Sequence, residues 1–489
     1  MEATNDFVSK VNPFVESAKG RYFFFTPAAR PMGMVAAAPV TRNKNQYGGG
    51  YNYNSSEILG FGQIHGWCLS GIQIMPTSGK INPTKGEQGW KSTFSHGDEI
   101  AIPGYQRVYL EDYDIWTELT STKRTTIYRF KFTKDVEANI LTNLGGYLGN
   151  STMINADVRK INNTEFEGSF DSAGRFWGGP EKVKIFFCAK FDKPFESFNG
   201  WNEKEQLKNI KSLKGTHKMS RRDSIVFPGV NTQSYWDAPT TGVSAKYFVK
   251  AGEEIKMKIS ISYTSIENAR KNMDAEAEHW NFDQYKEESV AVWNEKLSKI
   301  KIKGGTKNQQ TKFYTDLWHI LLGRRIINDI SGDYPDYTQA KERYHNFTKA
   351  DLKVRKLPMS AMGKAKFNMY NFDALWLTQW NLNIIWGLAW PEIMDDFSAS
   401  LVQYAENGGL LPRGAIAGGY SYIMTGCPAT NLIASTLMKG LMTKVDPKKA
   451  YLLTKQNHFP EGMMGDNPEE LQFYIENGYC PGNAGKTLE

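Results

Sequence analysis

Cysteine is scarce in this chain. There are four in 489 residues, Cys68, Cys188, Cys427 and Cys480. No two stand close enough for a CxxC pair, which excludes zinc ribbons and thioredoxin-type redox motifs. The seven histidines form no HExxH and no pair at i and i+4, so a protein-supplied zinc signature is lacking too. Long apolar runs are missing: none approaches the ~18 residues of a membrane span, and mean hydropathy is −0.50. Met1 to Phe14 contains no apolar signal-peptide core. Nor is there a strong excess of one charge. Lys and Arg number 59 against 52 Asp and Glu, a net +7, which gives no electrostatic case for nucleic acid. No GxGxxG or Walker sequence follows a strand-like run, which argues against nucleotide folds.

What is present is a globular composition. Hydrophobic residues make up 40%, enough for sizeable cores. At roughly 100–200 residues per domain the length predicts two to four domains. Aromatics reach 13%, with 13 Trp and 24 Tyr, alongside 44 Gly. Aromatic faces stack on sugar rings, and they also fill large cores.

The first half reads as β. Ile115, Thr117 and Leu119 alternate, and so do Tyr128, Phe130 and Phe132, the period of half-buried strands. Lys184–Phe191 is a short apolar strand, and Ala245–Tyr263 reads as two strands around Ala251-Gly252. Strands this numerous predict an antiparallel sandwich. The period changes near Ile266: Ala269, Met273, Ala277 and Trp280 fall at helical spacing. Lys303-Gly304-Gly305 marks a break before Phe313, Leu317 and Leu321 open another helix. Downstream, Pro391, Pro428, Pro447 and Pro468 stand where first helical residues would be, with Asp446 and Asn467 as caps. Gly408, Gly440 and Gly478 read as helix ends. The layout is therefore a β-sandwich over 10–265, linker helices over 266–306, and a helical domain over 307–489.

Three clusters could carry chemistry. Tyr370–Trp390 holds Trp376, Trp380, Trp386 and Trp390, with Asp373, Gln379, Asn381 and Asn383 between them. It reads as a buried helix, apolar all round. Its amides then either satisfy one another or face a cavity and bind a ligand. Gly408–Gly426 has six glycines, Arg413 and two tyrosines. It is longer than an ordinary connection, and glycine lets backbone approach a ligand closely. In Gly60–Ser70, His65 and Trp67 would share one side of an extended chain, although a lone histidine beside a tryptophan is more often structural. Asp395-Asp396, near a helix start, fits a helix-dipole role.

Several segments fall in a recognisable order. They are Val11-Asn12-Pro13-Phe14, Pro31-Met32-Gly33-Met34-Val35, Gly60-Phe61 with His65, Ile74-Met75-Pro76-Thr77-Ser78-Gly79, and Pro103-Gly104-Tyr105 with Val108-Tyr109-Leu110. Phe313-Tyr314 with Leu317-Trp318-His319, Leu375-Trp376 with Thr378, Gly409-Leu410-Leu411-Pro412-Arg413, Gly478-Tyr479 and Lys486-Thr487-Leu488-Glu489 follow. Taken together the chain resembles glycoside hydrolase family 92, the calcium-dependent, inverting, exo-acting α-mannosidases.

The resemblance implies an N-terminal antiparallel β-sandwich followed by an (α/α)6-type barrel, the barrel incomplete in this chain. It implies a glycan or oligosaccharide substrate, no nucleic acid and no membrane span, and an extracytoplasmic location, periplasmic or secreted. It also implies sugar contacts from both domains: His65 and Trp67 from the sandwich, and Asp373, Trp376, Gln379, Trp380, Asn381 and Arg413 from the barrel. Two departures bear on the sugar. Typical members have Leu-Trp-Asp-Thr, whose Asp binds the terminal mannose; here Leu377 stands at that place, and Gln379 is the candidate substitute, with Asp373 the alternative. Ala38-Pro39-Val40-Thr41 replaces a Ser-Pro-Asp-Thr run. The family's general acid, general base and calcium ligands come from motifs toward the C-terminus that this chain does not show. The expectation is accordingly of a C-terminally truncated glycosidase, inactive alone, with no catalytic or metal-binding residue in this chain. The alternative is a non-catalytic carbohydrate-binding protein.

Overall fold

A computed structural model describes residues 6–18, 25–41, 50–65, 69, 71–148, 151–174, 178–215, 240–341, 349–372, 375–424, 426–464 and 468–480. The chain divides into two compact units. The first is Met1–Arg175 with Lys182–Arg325, and the second is Phe176–Glu181 with Ile326–Glu489.

The first unit is built on two antiparallel sheets. The first sheet runs in the order Ala38–Thr41, Glu57–Ile64, Gly71–Ser78, Val136–Asn143, Gly242–Val249, Ser197–Trp201, Gln206–Leu207. The second has Glu254–Ser262 at its centre, between Lys182–Phe191 and Thr125–Phe132. Alternation is what makes these strands: Ile115, Thr117 and Leu119 are buried while Trp116 and Glu118 between them are partly exposed. Rings from opposite sheets meet in the core, Phe61 with Tyr128 at 6.3 Å and Phe166 with Phe198 at 5.3 Å. The turn expected at Ala251-Gly252 is there, with Gly252 at φ +82° and its N–H donating to the Phe132 carbonyl over 2.7 Å.

The change of period falls where expected. Helix α1 (Ile266–Glu276) starts behind Ser265, whose hydroxyl accepts from the Asn268 N–H at 3.0 Å, a cap of the kind that contributes about 1 kcal/mol. Helices α2 (Phe282–Leu297) and α3 (Lys307–His319) follow, α3 opening on a Thr306–Gln309 capping box. The sequence reading set 266–306 apart as linker helices. In the structure Ala269, Met273, Ala277, Phe282 and Tyr285 bury against Tyr105, Ile127 and Cys188 of the second sheet. Their apolar stripe thus ties α1 and α2 to the sandwich, and α3 also falls in the first unit.

The second unit contains a hairpin, Asp333–Asp336 with Lys353–Lys356, and helices α4 (Leu382–Ala389), α5 (Pro391–Gly408), α6 (Pro428–Met438), α7 (Pro447–Gln456) and α8 (Pro468–Asn477). All four prolines open helices as read. Asp446 caps α7 by accepting from the Lys448 N–H at 3.1 Å; Asn467 lies outside the described residues. The end of α5 differs by one position. Gly409, at φ +85°, takes the left-handed cap. Gly408 is instead a close approach: a Cβ there would come within 2.3 Å of the Tyr420 hydroxyl.

The reading of Tyr370–Trp390 as one buried helix is corrected. Among its described residues only Thr378–Trp380, a 3-10 turn, and α4 are helical. Leu377 sits at φ +69°, which no continuous right-handed helix accommodates. Trp386 and Trp390 are buried, whereas Trp380 is 73% exposed and Leu388 77%.

Candidate functional site

In the first unit His65 follows directly on the strand Glu57–Ile64 and is fully buried. Its Nδ1 lies 2.9 Å from the Ala36 carbonyl and its ring 5.0 Å from that of Phe25. Burial pulls its pKa down to about 4, with Arg325 acting in the same direction and the Ala36 carbonyl opposing. The imidazole is therefore neutral near pH 7, with the Nδ1 proton given to Ala36. Among the described residues its Nε2 has no hydrogen-bond partner, and Gly50 packs so close that a Cβ would stand 2.5 Å from that atom. Trp67 lies outside the described residues.

In the second unit the motif Leu375-Trp376-Leu377-Thr378 forms a turn. Leu375 is buried, Trp376 is partly buried and Leu377 is 59% exposed. Gln379, Trp380 and Asn381 follow as three exposed residues, adjacent already in the sequence. Asp373 lies outside the described residues. Between Thr378 and Trp390 three polar groups are buried without hydrogen-bond partners among the described residues: Thr378 Oγ1, both amide atoms of Asn383, and Trp390 Nε1. Asn383 is 2% exposed. It stood in the aromatic cluster of the sequence but was not singled out for the site. The signal was an amide on an otherwise apolar turn of helix.

Arg413 has a different surrounding. It is 2% exposed, and its guanidinium donates to the carbonyls of Gly426 (3.1 Å), Tyr422 (3.3 Å), Met424 (2.8 Å) and Met463 (2.9 Å). The loop expected to cradle a ligand thus folds around its own arginine. A long loop without strand partners leaves carbonyls that need donors, and Arg413 supplies them.

The buried carboxylates of this unit are also engaged. Asp395 accepts from the Thr443 and Lys444 N–H groups at 3.0 and 3.3 Å. Asp396 accepts from Asn368 Nδ2 at 3.0 Å and the Tyr370 hydroxyl at 3.1 Å, and pairs with Lys444. Asp336 holds Thr338 and Arg355. The helix-dipole role read for Asp395-Asp396 is accompanied by these specific ties to the 443–444 segment.

Two family models cover nearly the whole chain. The glycosyl hydrolase family 92 N-terminal domain matches residues 10–262, and the glycosyl hydrolase family 92 catalytic domain matches residues 268–489. The chain belongs to glycosyl hydrolase family 92. Solved structures agree on the fold. The family GH92 α-mannosidase BT3965 from Bacteroides thetaiotaomicron aligns with a TM-score of 0.79 at 23% identity, over 98% of this chain and 60% of that one. BT3965 in complex with mannoimidazole gives 0.78 at 23%, over 97% and 58%. The family GH92 inverting mannosidase BT2199 from the same species gives 0.79 at 20%, over 99% and 60%. The chain spans about 60% of the length of these structures. A comparison with curated proteins finds no match. Since the catalytic-domain model matches through residue 489, the expectation that the catalytic part is missing gains no support from it.

Family 92 membership brings calcium into question. Calcium takes about 6–8 oxygen ligands at ~2.3–2.6 Å. Among the described residues no three of His, Cys, Asp and Glu gather as a metal site requires, and the buried aspartates named above are bound to protein donors. No calcium ligand is therefore assigned among the described residues, and no step is derived through the ion. Among them, too, no helix is long and apolar enough to cross a membrane.

Proposed function

We propose that this protein is an exo-acting, inverting α-mannosidase-like glycoside hydrolase that removes terminal sugars from glycans outside the cytoplasm. One observation carries the reading: both domains of glycosyl hydrolase family 92 are matched, in order, over 10–262 and 268–489. An inverting glycosidase needs a general acid and a general base about 6.5–9.5 Å apart, with room for a water between them. Calcium at family level would bind sugar hydroxyls. The exposed run Gln379, Trp380 and Asn381 is the proposed sugar contact in the second unit, with the indole stacking on a ring face and the amides bonding hydroxyls.

The test is hydrolysis of α-linked mannobioses, followed by NMR in the presence of calcium and again after chelation. The expected result is chelator-sensitive release of mannose that appears first as the β-anomer. Release of the α-anomer would overturn the inverting mechanism. Binding of mannosides without turnover, in calcium, would overturn the hydrolase reading in favour of a carbohydrate-binding protein.

A further inference from the structure

The first sheet has an outward face with a cavity of its own. It measures about 330 Å³, and its floor is formed by strands Val136–Asn143, Gly242–Val249 and Ser197–Trp201. The register puts Asn139 opposite Lys246, and Ser244 opposite Asn199, so these four side chains share one face. The loop after Gly71–Ser78 and the strand Gln206–Leu207 form the walls, and Gln206 Nε2 reaches Asn82 Oδ1 at 3.3 Å to join them.

Two features separate this hollow from an ordinary polar sheet surface. The first is unused hydrogen-bonding capacity. Ser244 and Asn139 are each 8% exposed. Among the described residues the Ser244 hydroxyl makes no hydrogen bond, and the Asn139 amide makes only a long one, 3.4 Å to the Gly79 carbonyl. Both line the cavity. The second is charge. The lining holds Lys80, Lys208, Lys246 and Glu137. Lys246 pairs with Glu137 at 2.7 Å, while Lys80 and Lys208 have no carboxylate partner among the described residues, which leaves two positive charges. Two residues along the strand from Lys246, on the same face, Phe248 is 63% exposed, its ring 5.6 Å from the Lys246 ammonium.

A flat exposed ring, a hydroxyl and an amide awaiting partners, and uncompensated ammonium groups form the complement of an acidic sugar. We infer that this face is an accessory binding site for an anionic saccharide, one bearing a carboxylate or a sulfate. The anion follows from the lysines alone. The saccharide rests on the glycosidase reading together with Phe248 and the unpaired polar atoms.

The experiment titrates the whole chain by calorimetry with glucuronate, glucose 6-sulfate, unmodified glucose and inorganic sulfate. The Lys80→Ala/Lys208→Ala double variant, which changes only exposed side chains, and Ser244→Ala are measured alongside, with thermal melts to confirm folding. The expected result is that at least one acidic sugar binds ten times more tightly than glucose and inorganic sulfate. The double variant should weaken it at least tenfold and Ser244→Ala severalfold. The two acidic sugars tell carboxylate from sulfate. Binding unchanged in the double variant, or glucose as tight as both acidic sugars, would overturn the site. Inorganic sulfate as tight as glucose 6-sulfate, with no glucuronate binding, would overturn the saccharide assignment. Mannoside hydrolysis should be untouched by these variants, so failure here and failure of the functional reading are distinguishable.

Discussion

Replacing Arg413 by methionine tests whether the glycine-rich loop holds a ligand or holds itself. Methionine keeps most of the side-chain length and removes the donors. Four carbonyls, of Tyr422, Met424, Gly426 and Met463, lose their partner at a site that is 2% exposed. A hydrogen bond to a charged group is worth about 1.5–3 kcal/mol net, and an abandoned buried acceptor costs about 1–3 kcal/mol. The four do not add, because the loop relaxes and the guanidinium's own desolvation cost disappears. A loss of about 4 kcal/mol is the resulting expectation, at the edge of what single substitutions do. For a unit of this size about 2–4 °C accompanies each kcal/mol, so the second unit should melt about 10 °C earlier. Calorimetry would read the melt, and limited proteolysis would report whether cleavage concentrates between Gly408 and Gly426. Arg413→Lys should recover only part of the loss, since an ammonium cannot span four acceptors in the plane of a guanidinium. An unchanged melting temperature combined with weakened mannoside binding would refute the reasoning and return Arg413 to the ligand.

Other expectations follow from the same geometry. His65 and His319 both have pKa values lowered to about 4 by burial. Above pH 6.5 neither the folded nor the unfolded form is protonated there. Between 6.5 and 4 only the unfolded chain takes up the protons, so stability falls as pH falls, by about 2 kcal/mol per histidine at pH 5; urea midpoints that stay level from pH 7 to 5 would contradict this. Gly50→Ala forces a Cβ to 2.5 Å from His65 Nε2 at a backbone φ of +82°, for an expected loss of about 2–3 kcal/mol in denaturant titrations. Leu377→Asn should stabilise by up to about 1 kcal/mol, because asparagine tolerates the left-handed backbone that leucine strains to hold, and Leu377 is largely exposed; a lower melting temperature would contradict it. Trp380→Ala should leave the melting temperature within about 2 °C, because the ring is 73% exposed, while raising KM for mannosides roughly tenfold, about 1.4 kcal/mol; a large stability loss with unchanged KM would make it a packing residue.

The fold was legible where a single periodicity governed. Ile115 to Leu119 could only be a half-buried strand, and Pro391, Pro428, Pro447 and Pro468 announced helices that formed behind them. The segment from Tyr370 to Trp390 was not legible in the same way. Its apolar content is high on every side, so the pattern gives no face to follow, and the interruptions rest on backbone torsions, Leu377 at φ +69° and Asn381 at φ −149°. For the candidate sugar contacts, residue type was legible and surroundings were not. Gln379, Trp380 and Asn381 were picked out by type and stand exposed together. An arginine in a glycine-rich loop, however, has the same sequence signature whether it reaches for a ligand or for its own carbonyls. His65 likewise reads the same whether exposed or buried, and only the backbone at Ala36 and Gly50 reveals how closely it is enclosed.

The absence of a side chain at Gly408 has a consequence for kinetics. It lets the Tyr420 hydroxyl settle at the end of α5, where it accepts from the Leu410 N–H at 3.1 Å and lies 2.8 and 3.0 Å from the carbonyls of Leu410 and Tyr404. Further along, Leu411 N–H meets Asn457 at 3.1 Å, Ala415 accepts from the Phe372 N–H at 2.8 Å, and Gly418 accepts from the Tyr337 N–H at 2.9 Å. A loop fastened this often loses its conformational entropy when the chain folds, not when something binds. A sugar that docked against it would meet a rigid wall, so little ordering of this segment should accompany such an encounter. Any selectivity that it imparts would be expressed in how long a sugar stays, with association rates varying little from one sugar to the next.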